Sequence, residues 1–186
     1  MAKLIYITNV SLDGYIEDEH GSLEWTAPDD EVFGFITDLV RPMRTYLYGR
    51  RLYETMAHWE TDPALAAESE LRADFATIWQ SADKVVYSTT LSAVSTGRTR
   101  LERTFDPASV RETKASATGD LTVGGADLAG QALEAGLVDE CHLLVHPVLI
   151  GGGKPALPNG IRTDLELLED HRCGKGVVYL RYRIPT

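Results

Sequence analysis

The chain has 186 residues, 44% of them hydrophobic and 25% charged, which is typical of a folded domain with a sizeable core. Its net charge of −10 would repel nucleic acids and anionic membranes, so we expect neither as a partner. Two cysteines are too few for a disulfide framework. With no membrane-spanning apolar run and no leader before the first strand, we expect a cytoplasmic protein.

Strands and helices alternate over the first two thirds of the chain. Apolar runs predict strands at residues 3–10, 45–48, 84–87, 99–104, 121–123 and 140–148. Helical spacing predicts helices at residues 28–40, 52–57, 64–81, 106–113 and 126–133. This alternation is typical of an α/β domain with a mostly parallel sheet, and residues 165–168 and 177–184 predict an antiparallel pair that makes the sheet mixed. We expect one domain over residues 1–186.

The stretch from Leu121 to Leu133 reads as a buried strand, a turn containing Gly124 and Gly125, and an amphipathic helix. Glycines let the backbone approach a ligand closely, and the amino terminus of a helix suits a phosphate. Gly125 and Gly130 have P-loop spacing, but Gln131-Ala132 stands where Lys-Ser/Thr is required, which argues against an ATPase. A dinucleotide whose diphosphate is held by backbone is one interpretation. A tight strand-to-helix connection without a ligand is the other.

Four polar segments follow the carboxyl ends of predicted strands, where α/β sheets bind their ligands. They are Asp13-Gly14, Gly49-Arg50-Arg51, Ser88-Thr89-Thr90 and Gly124-Gly125. Chance could place any one of them there, but together they favour a single cleft. Arginine and hydroxyls beside a diphosphate turn are what a 2′-phosphate needs, so NADP is favoured over NAD. The alternatives are solvated surface arginines and an ordinary turn cap at the serine.

Two acids are candidates for proton transfer. Asp13 lies where the first strand leaves the sheet, and it could orient a substrate or simply hold its own turn. Asp30, in the first turn of a predicted helix, could face the cleft or only match the helix dipole. No metal site is expected, because His142 and His146 would lie roughly 13 Å apart on a strand, too far to share one ion.

Several motifs occur in order along the chain: Ser11-Leu12-Asp13-Gly14-Tyr15-Ile16, Tyr48-Gly49-Arg50-Arg51-Leu52-Tyr53-Glu54, Val86-Tyr87-Ser88, Thr122-Val123-Gly124-Gly125 and His146-Pro147-Val148-Leu149-Ile150-Gly151-Gly152-Gly153. Together they resemble the dihydrofolate reductase-like family that includes the reductase domain of bacterial riboflavin biosynthesis. The resemblance runs from Lys3 to Ile184. It implies a dihydrofolate reductase-like fold, NADPH as the cofactor and a homodimer formed through the last strands. Gly34 stands where an aromatic usually lines the folate site, so reduction of folate itself is not expected.

The resemblance also assigns positions to the cofactor and the substrate. The turn that contacts the cofactor, with an arginine at the adenosine phosphate, corresponds to Gly49, Arg50 and Arg51. The hydroxyls beside that phosphate correspond to Ser88 and Thr89. The diphosphate turn corresponds to Gly124, Gly125, Ala126, Asp127 and Leu128. Asp13 matches an acid that lies near the substrate in the riboflavin-type reductases.

We therefore expect an NADPH-dependent reductase whose nicotinamide lies near Val10, Ser11 and the glycine turn. Hydride would pass to a C=N or C=O carbon of a small heterocycle, of pteridine or aminopyrimidine type. Asp13 or Asp30 would assist protonation of the acceptor. Two alternatives stay open: a non-catalytic NADP-binding or regulatory protein of the same fold, and a structural oligomeric domain that binds no nucleotide.

Overall fold

The structure is a computed structural model that describes residues 2–185. Its strands are β1 (Leu4–Ser11), β2 (Tyr15–Glu17), β3 (Thr45–Gly49), β4 (Asp83–Tyr87), β5 (Thr99–Glu102), β6 (Leu121–Gly124), β7 (Glu140–His146), β8 (Lys154–Pro155), β9 (Glu166–Arg172) and β10 (Val178–Arg183). Its helices are α1 (Asp30–Val40), α2 (Arg50–Met56), α3 (His58–Thr61), α4 (Pro63–Ala67), α5 (Glu70–Ser81), α6 (Pro107–Ser116) and α7 (Ala126–Glu134). Short 3-10 turns lie at Glu24–Thr26 and Gly174–Gly176.

Within the described residues, eight strands form one sheet in the order β5-β4-β3-β6-β1-β7-β10-β9, and β2 pairs with β8 in a separate ribbon. The strands from β5 to β7 in this order run parallel. In contrast, β10 is antiparallel to β7, and β9 is antiparallel to β10. The predicted mixed, mostly parallel sheet with a closing antiparallel pair is therefore confirmed.

Helices cover both faces of the parallel part of the sheet. On one face, α6 and α7 pack onto β1 through Val110, Leu128 and Ala132. On the other face, α2 and α5 bury Tyr53 and Trp79 against the same strands. Strands covered on both faces need apolar side chains on both sides, which explains their nearly continuous apolar runs. None of the helices that the structure describes is long and apolar enough to cross a membrane.

The helix predicted over residues 64–81 is divided into α4 and α5. Asp62 accepts a hydrogen bond from the amide of Ala64 and caps α4. Ser69 is extended, and its hydroxyl accepts from the amide of Arg72 to cap α5. A serine side chain that accepts from a backbone amide in this way marks the start of a new helix. The apolar spacing runs on across this cap, which is why the sequence predicted a single helix.

The carboxyl ends of the parallel strands lie along one edge of the sheet. At this edge the chain passes from β3 into α2, from β6 into the turn before α7, and from β1, β4 and β5 into loops. Segments that are far apart in sequence therefore meet at the edge where α/β sheets bind ligands.

Candidate active site

A cleft of about 840 Å³ crosses the carboxyl edge of the sheet from β5 to β1. Neighbouring strands are about 4.8 Å apart, so the four steps between these five strands span roughly 19 Å. Three of the four predicted strand ends line the cleft, together with the start of α7: Gly49, Arg50, Arg51, Ser88, Thr89, Gly125, Ala126, Asp127 and Leu128. The fourth strand end, Asp13-Gly14, lies outside this lining, so the expectation that all four share one cleft is only partly met.

The turn between β6 and α7 presents backbone to the cleft. Gly125 has a φ of +90°, which residues with a side chain rarely adopt. Gly124 is buried behind the turn and does not line the cleft, and a Cβ there would overlap the Leu52 side chain. No side chain caps the first turn of α7. The amides of Ala126 and the next two residues are therefore left to bind a ligand.

Arg50 begins α2 and lies across from the loop that follows β4. Its Nε donates to Glu54 Oε1 at 2.8 Å, and its Nη1 donates to Thr90 Oγ1 at 2.9 Å. These two bonds hold the guanidinium at the cleft, and its Nη2 makes no hydrogen bond to the described residues. A planar cation with a free N–H edge is well suited to a phosphate.

The loop after β4 is braced by an arginine that the sequence did not reveal. Ser88 Oγ accepts from the amides of Thr90 and Leu91 at 3.2 and 2.9 Å, so the turn-cap interpretation is realised in a residue that also lines the cleft. Arg103 Nη1 donates to the carbonyls of Ser88 and Leu91 at 3.1 and 2.6 Å. Arg103 follows β5, so its place in the cleft becomes visible only once β5 is known to lie beside β4.

The β2–β8 ribbon supplies Glu17 and Lys154 to the cleft lining. Arg51 Nη1 lies 3.0 Å from Glu17 Oε1, and the ammonium of Lys154 pairs with Asp127 in the first turn of α7. Two predicted cofactor residues, Arg51 and Asp127, are thus bound to the ribbon in ion pairs. Lys154, which the sequence did not single out, adds a cation close to the glycine turn.

The other end of the cleft lies on β1 and is lined by Ile7, Thr8 and Asn9. Val10, the predicted neighbour of the nicotinamide, is buried and lies outside the lining. Asn9 Oδ1 lies 2.9 Å from Nε2 of His146 on the adjacent strand. Sequence reasoning missed Asn9 because one asparagine in an apolar strand matches no motif.

Neither predicted acid lines the cleft. The Asp13 carboxylate accepts from the amides of Ile150 and Gly151 at 3.2 and 2.8 Å, which ties the loop after β1 to the loop after β7. The Ser11 hydroxyl and these amides lower the pKa of Asp13, so the group is ionised at neutral pH. Asp30 is exposed at the start of α1. Their roles in proton transfer stay predictions.

The chemistry of the cleft is that of an anion site. Four cations line it, at Arg50, Arg51, Arg103 and Lys154, next to the uncapped amides of α7, and the two acids of the lining, Glu17 and Asp127, pair with Arg51 and Lys154. Within residues 2–185, no three His, Cys, Asp or Glu side chains are grouped closely enough to hold a metal ion. The arrangement therefore suits an extended ligand with more than one phosphate.

Comparison with known families agrees with this geometry. Residues 2–179 match the sequence profile of the RibD C-terminal domain. The chain belongs to the RibD C-terminal domain family. Membership of this family means that the chain is a reductase-like domain of the riboflavin-pathway type.

Relatives of this RibD C-terminal domain match it over nearly its whole length. The protein YyaP of Bacillus subtilis (strain 168) is 29% identical over 188 residues, covering 97% of this chain and 94% of YyaP. A Shewanella sp. PV-4 protein named for riboflavin biosynthesis has a TM-score of 0.76 at 21% identity, with 100% of both chains covered.

A bifunctional enzyme shares the same fold. The deaminase/5-amino-6-(5-phosphoribosylamino)uracil reductase of Thermotoga maritima has a TM-score of 0.65 at 11% identity, and the match covers 99% of this chain and 57% of that one. These structural likenesses confirm the predicted fold, that of the riboflavin-type, dihydrofolate reductase-like reductases.

Proposed function

We propose that this domain is an NADPH-dependent reductase that delivers hydride to a C=N or C=O carbon of a small heterocycle of pteridine or aminopyrimidine type. One observation carries the proposal: a single cleft runs from the arginines Arg50 and Arg103, past the exposed backbone of the Gly125 turn, to the residues of β1. The roughly 19 Å span of the five strand ends suits an extended dinucleotide.

The diphosphate would bind at the glycine turn. The φ of Gly125 and the uncapped first turn of α7 leave a cradle of amides that a diphosphate fits. Lys154 stands beside this cradle, paired with Asp127. These local donors are needed because the net charge of −10 makes the protein as a whole unfavourable to anions.

The 2′-phosphate would bind at the other end, between α2 and the loop after β4. Arg50 reaches this loop through Thr90, and the hydroxyls of Ser88 and Thr89 lie beside it. A charged fork and short hydroxyl donors would favour NADPH over NADH, which carries no charge at that position.

The nicotinamide and the substrate would meet at the β1 end. NADPH, when bound, would supply the hydride, and the protein would hold the two rings in contact and exclude water. Asp13 or Asp30 would assist protonation through water, because neither carboxylate lines the cleft.

Calorimetry with NADPH and NADH tests the cofactor assignment, and loss of NADPH absorbance with a panel of pterins and aminopyrimidines tests the reaction. We expect tight NADPH binding, weaker NADH binding and oxidation with at least one heterocycle. NADPH binding without oxidation of any compound in the panel would instead support the non-catalytic alternative. Absence of NADPH binding would overturn both.

A further inference from the structure

The β1 end of the cleft differs in charge from the rest of the cleft. Of the described lining residues between positions 7 and 26, only Glu17 is charged, and the others are apolar or carry a hydroxyl or an amide: Ile7, Thr8, Asn9, Ile16, Leu23 and Thr26. Leu52 of α2 extends this lining across the end of β6, since a Cβ on Gly124 would overlap its Cδ2. This end therefore suits a flat, uncharged ring.

Both cations beside the β2–β8 ribbon are already paired with an acid. Arg51 Nη1 lies 3.0 Å from Glu17 Oε1, and Lys154 pairs with Asp127. The Glu17 side chain is 13% exposed, and Arg51 is its one side-chain partner within residues 2–185. If Arg51 turned away to bind a phosphate, a largely buried carboxylate would be left unpaired beside a second anion, which is costly.

Further acids lie on the ribbon next to this end of the cleft. Glu17, Asp18 and Glu19 line a second hollow of about 610 Å³, together with the same two cations and the exposed His20. Hydrogen bonds from backbone amides, that of Ser22 above all, lower the pKa of Asp18, so this group is ionised at neutral pH. The rim of the cleft at the ribbon therefore holds more carboxylates than arginine and lysine side chains.

The cofactor would use the positive charge of the cleft. Arg50 and Arg103 lie at the β4–β5 end, where the 2′-phosphate would bind. NADPH carries about four negative charges, one on each phosphate of the diphosphate and about two on the 2′-phosphate. The lining holds four cations and two acids, so it offsets only part of this charge. With the cofactor in place the cleft would be negative, and the net charge of −10 adds to this field.

We propose that the substrate of this reductase carries no phosphate or other anionic group, and that the acids of the ribbon exclude substrates that do. An anionic group at the β1 end would meet Glu17, Asp18 and Glu19 on the ribbon and the phosphates of the cofactor along the cleft. The inference rests on the proposed function and narrows its substrate to an uncharged heterocycle. The Thermotoga maritima enzyme, in contrast, is named for a phosphoribosyl substrate.

Two pairs of probes that differ by one phosphate test this. They are neopterin with its 3′-phosphate, and 5-amino-6-(ribosylamino)uracil with its 5′-phosphate. In calorimetric titrations at saturating NADP⁺, we expect the unphosphorylated member of each pair to bind the wild-type protein at least about tenfold more tightly, because like charges repel the other. NADP⁺ prevents turnover, and the positive charge of its nicotinamide works against the expected difference.

Salt separates repulsion from a steric effect. Between about 0.01 M and about 0.1 M NaCl the Debye length falls from about 30 Å to about 10 Å. With NADP⁺ kept saturating, the affinity for the phosphorylated probes should therefore rise with salt, while the affinity for the unphosphorylated probes stays nearly constant. A difference between the members of a pair that does not change with salt would contradict exclusion by charge.

Glu17→Gln tests the role of the ribbon. This variant keeps the shape of the side chain, removes one negative charge and leaves the charge of Arg51 without its acid, so the discrimination against the phosphorylated probes should fall about fivefold or more. Glu68→Gln is the matched control, because Glu68 also pairs with an arginine, Arg72, but lies outside the cleft lining. It should leave the discrimination unchanged.

The outcomes for the inference and for the proposed function are separate. A wild-type protein that binds NADPH and binds the phosphorylated probes as tightly as the unphosphorylated ones overturns the inference alone. Discrimination that is the same in Glu17→Gln as in the wild type overturns exclusion by the ribbon. A wild-type protein that binds no NADPH, or none of the four heterocycles, overturns the proposed function and this inference with it.

Discussion

Arg50 is held at the cleft by two side-chain hydrogen bonds, and its proposed role is to bind the 2′-phosphate. Its Nε and Nη1 are bound to Glu54 and Thr90, so the guanidinium is already oriented before a ligand arrives. A preorganised arginine loses little freedom on binding a phosphate, which makes its contribution larger than that of a mobile surface charge.

For Arg50→Ala, we expect NADPH affinity to fall about tenfold or more while NADH affinity changes little, because one charge-assisted phosphate contact is lost. Calorimetry with both cofactors measures this. Arg183→Ala is the control: Arg183 pairs with Glu166 on β9, and both side chains are exposed to a similar degree as the Arg50 pair. An equal loss for NADPH and NADH would contradict the 2′-phosphate assignment.

Among single residues, the sequence predicted the site residues that lie next to a glycine or a strand end. It missed those that reach the cleft only because of the order of strands in the sheet. Arg50 directly follows a strand, so its position could be read locally. Arg103 enters the cleft because β5 lies beside β4, and Lys154 enters because β8 pairs with β2. Local sequence patterns do not predict which distant strands pair with each other.

Among the elements, the turn between β6 and α7 matters most to the site. Gly125→Ala should destabilise the protein by about 1–3 kcal/mol, because the new residue must hold a sparsely populated backbone conformation, with φ 90° and ψ 122°. Nothing crowds a Cβ at Gly125, whose nearest neighbour is Gly49 N at 4.0 Å, so the cost comes from the backbone conformation.

Urea unfolding measures this cost, with Gly34→Ala as the matched control. Gly34 lies inside α1, and a Cβ there would be 3.8 Å from Leu71 Cδ1, an ordinary contact. That variant should therefore gain about 0.5–1 kcal/mol. A Gly125→Ala protein as stable as the wild type would show that the turn does not require glycine.

The sequence also predicted where helices and strands lie better than where a helix is broken. The sequence shows the run Gly151-Gly152-Gly153 without a reason for it, and the reason appears in the ribbon: a Cβ on Gly153 would collide with the backbone of Glu17 on β2. The break between α4 and α5 was missed because one serine cap outweighed a continuing apolar pattern.

For the whole molecule, one buried carboxylate ties the antiparallel end of the sheet together. Glu140 is 2% exposed, and it pairs with Lys3, His142 and Arg181. Burial raises the pKa of Glu140, but the hydrogen bonds from Arg181, Lys3 and His142 outweigh it and lower the pKa to about 2. Because the folded pKa lies below the unfolded value of 4.5, this stabilisation is present above pH 4.5 and is lost as the pH falls through 2.

Glu140→Gln should therefore lower the free energy of unfolding at pH 7 by about 3 kcal/mol, and the difference from wild type should shrink between pH 4.5 and pH 2. Urea unfolding at a series of pH values measures it. Glu166→Gln, which breaks an exposed pair, should cost less than about 1 kcal/mol at any pH. A pH-independent difference at Glu140 would contradict the account.

The sheet also offers a surface for the expected homodimer. Val178, Leu180 and Tyr182 on β10 are partly exposed and belong to none of the described core clusters, and Leu167 on β9 is 50% exposed. These side chains share one face, since Tyr182 stands opposite Leu167 in the antiparallel register. We propose that two copies meet through this face.

Sedimentation velocity should find a dimer for the wild type and a monomer for Leu180→Glu, because a charge would be buried at the interface. Leu149→Glu, at a loop position that is 71% exposed, should remain dimeric. A wild-type protein that sediments as a monomer at micromolar concentration would remove the proposal.

The central claim is that the cleft along the carboxyl edge holds NADPH, and a crystal structure with NADPH bound tests it most directly. We predict the diphosphate on the amides at the start of α7, the 2′-phosphate within hydrogen-bond distance of Arg50, and the nicotinamide beside Asn9. A cofactor bound elsewhere, or in this cleft with its phosphates away from both Gly125 and Arg50, would contradict the account.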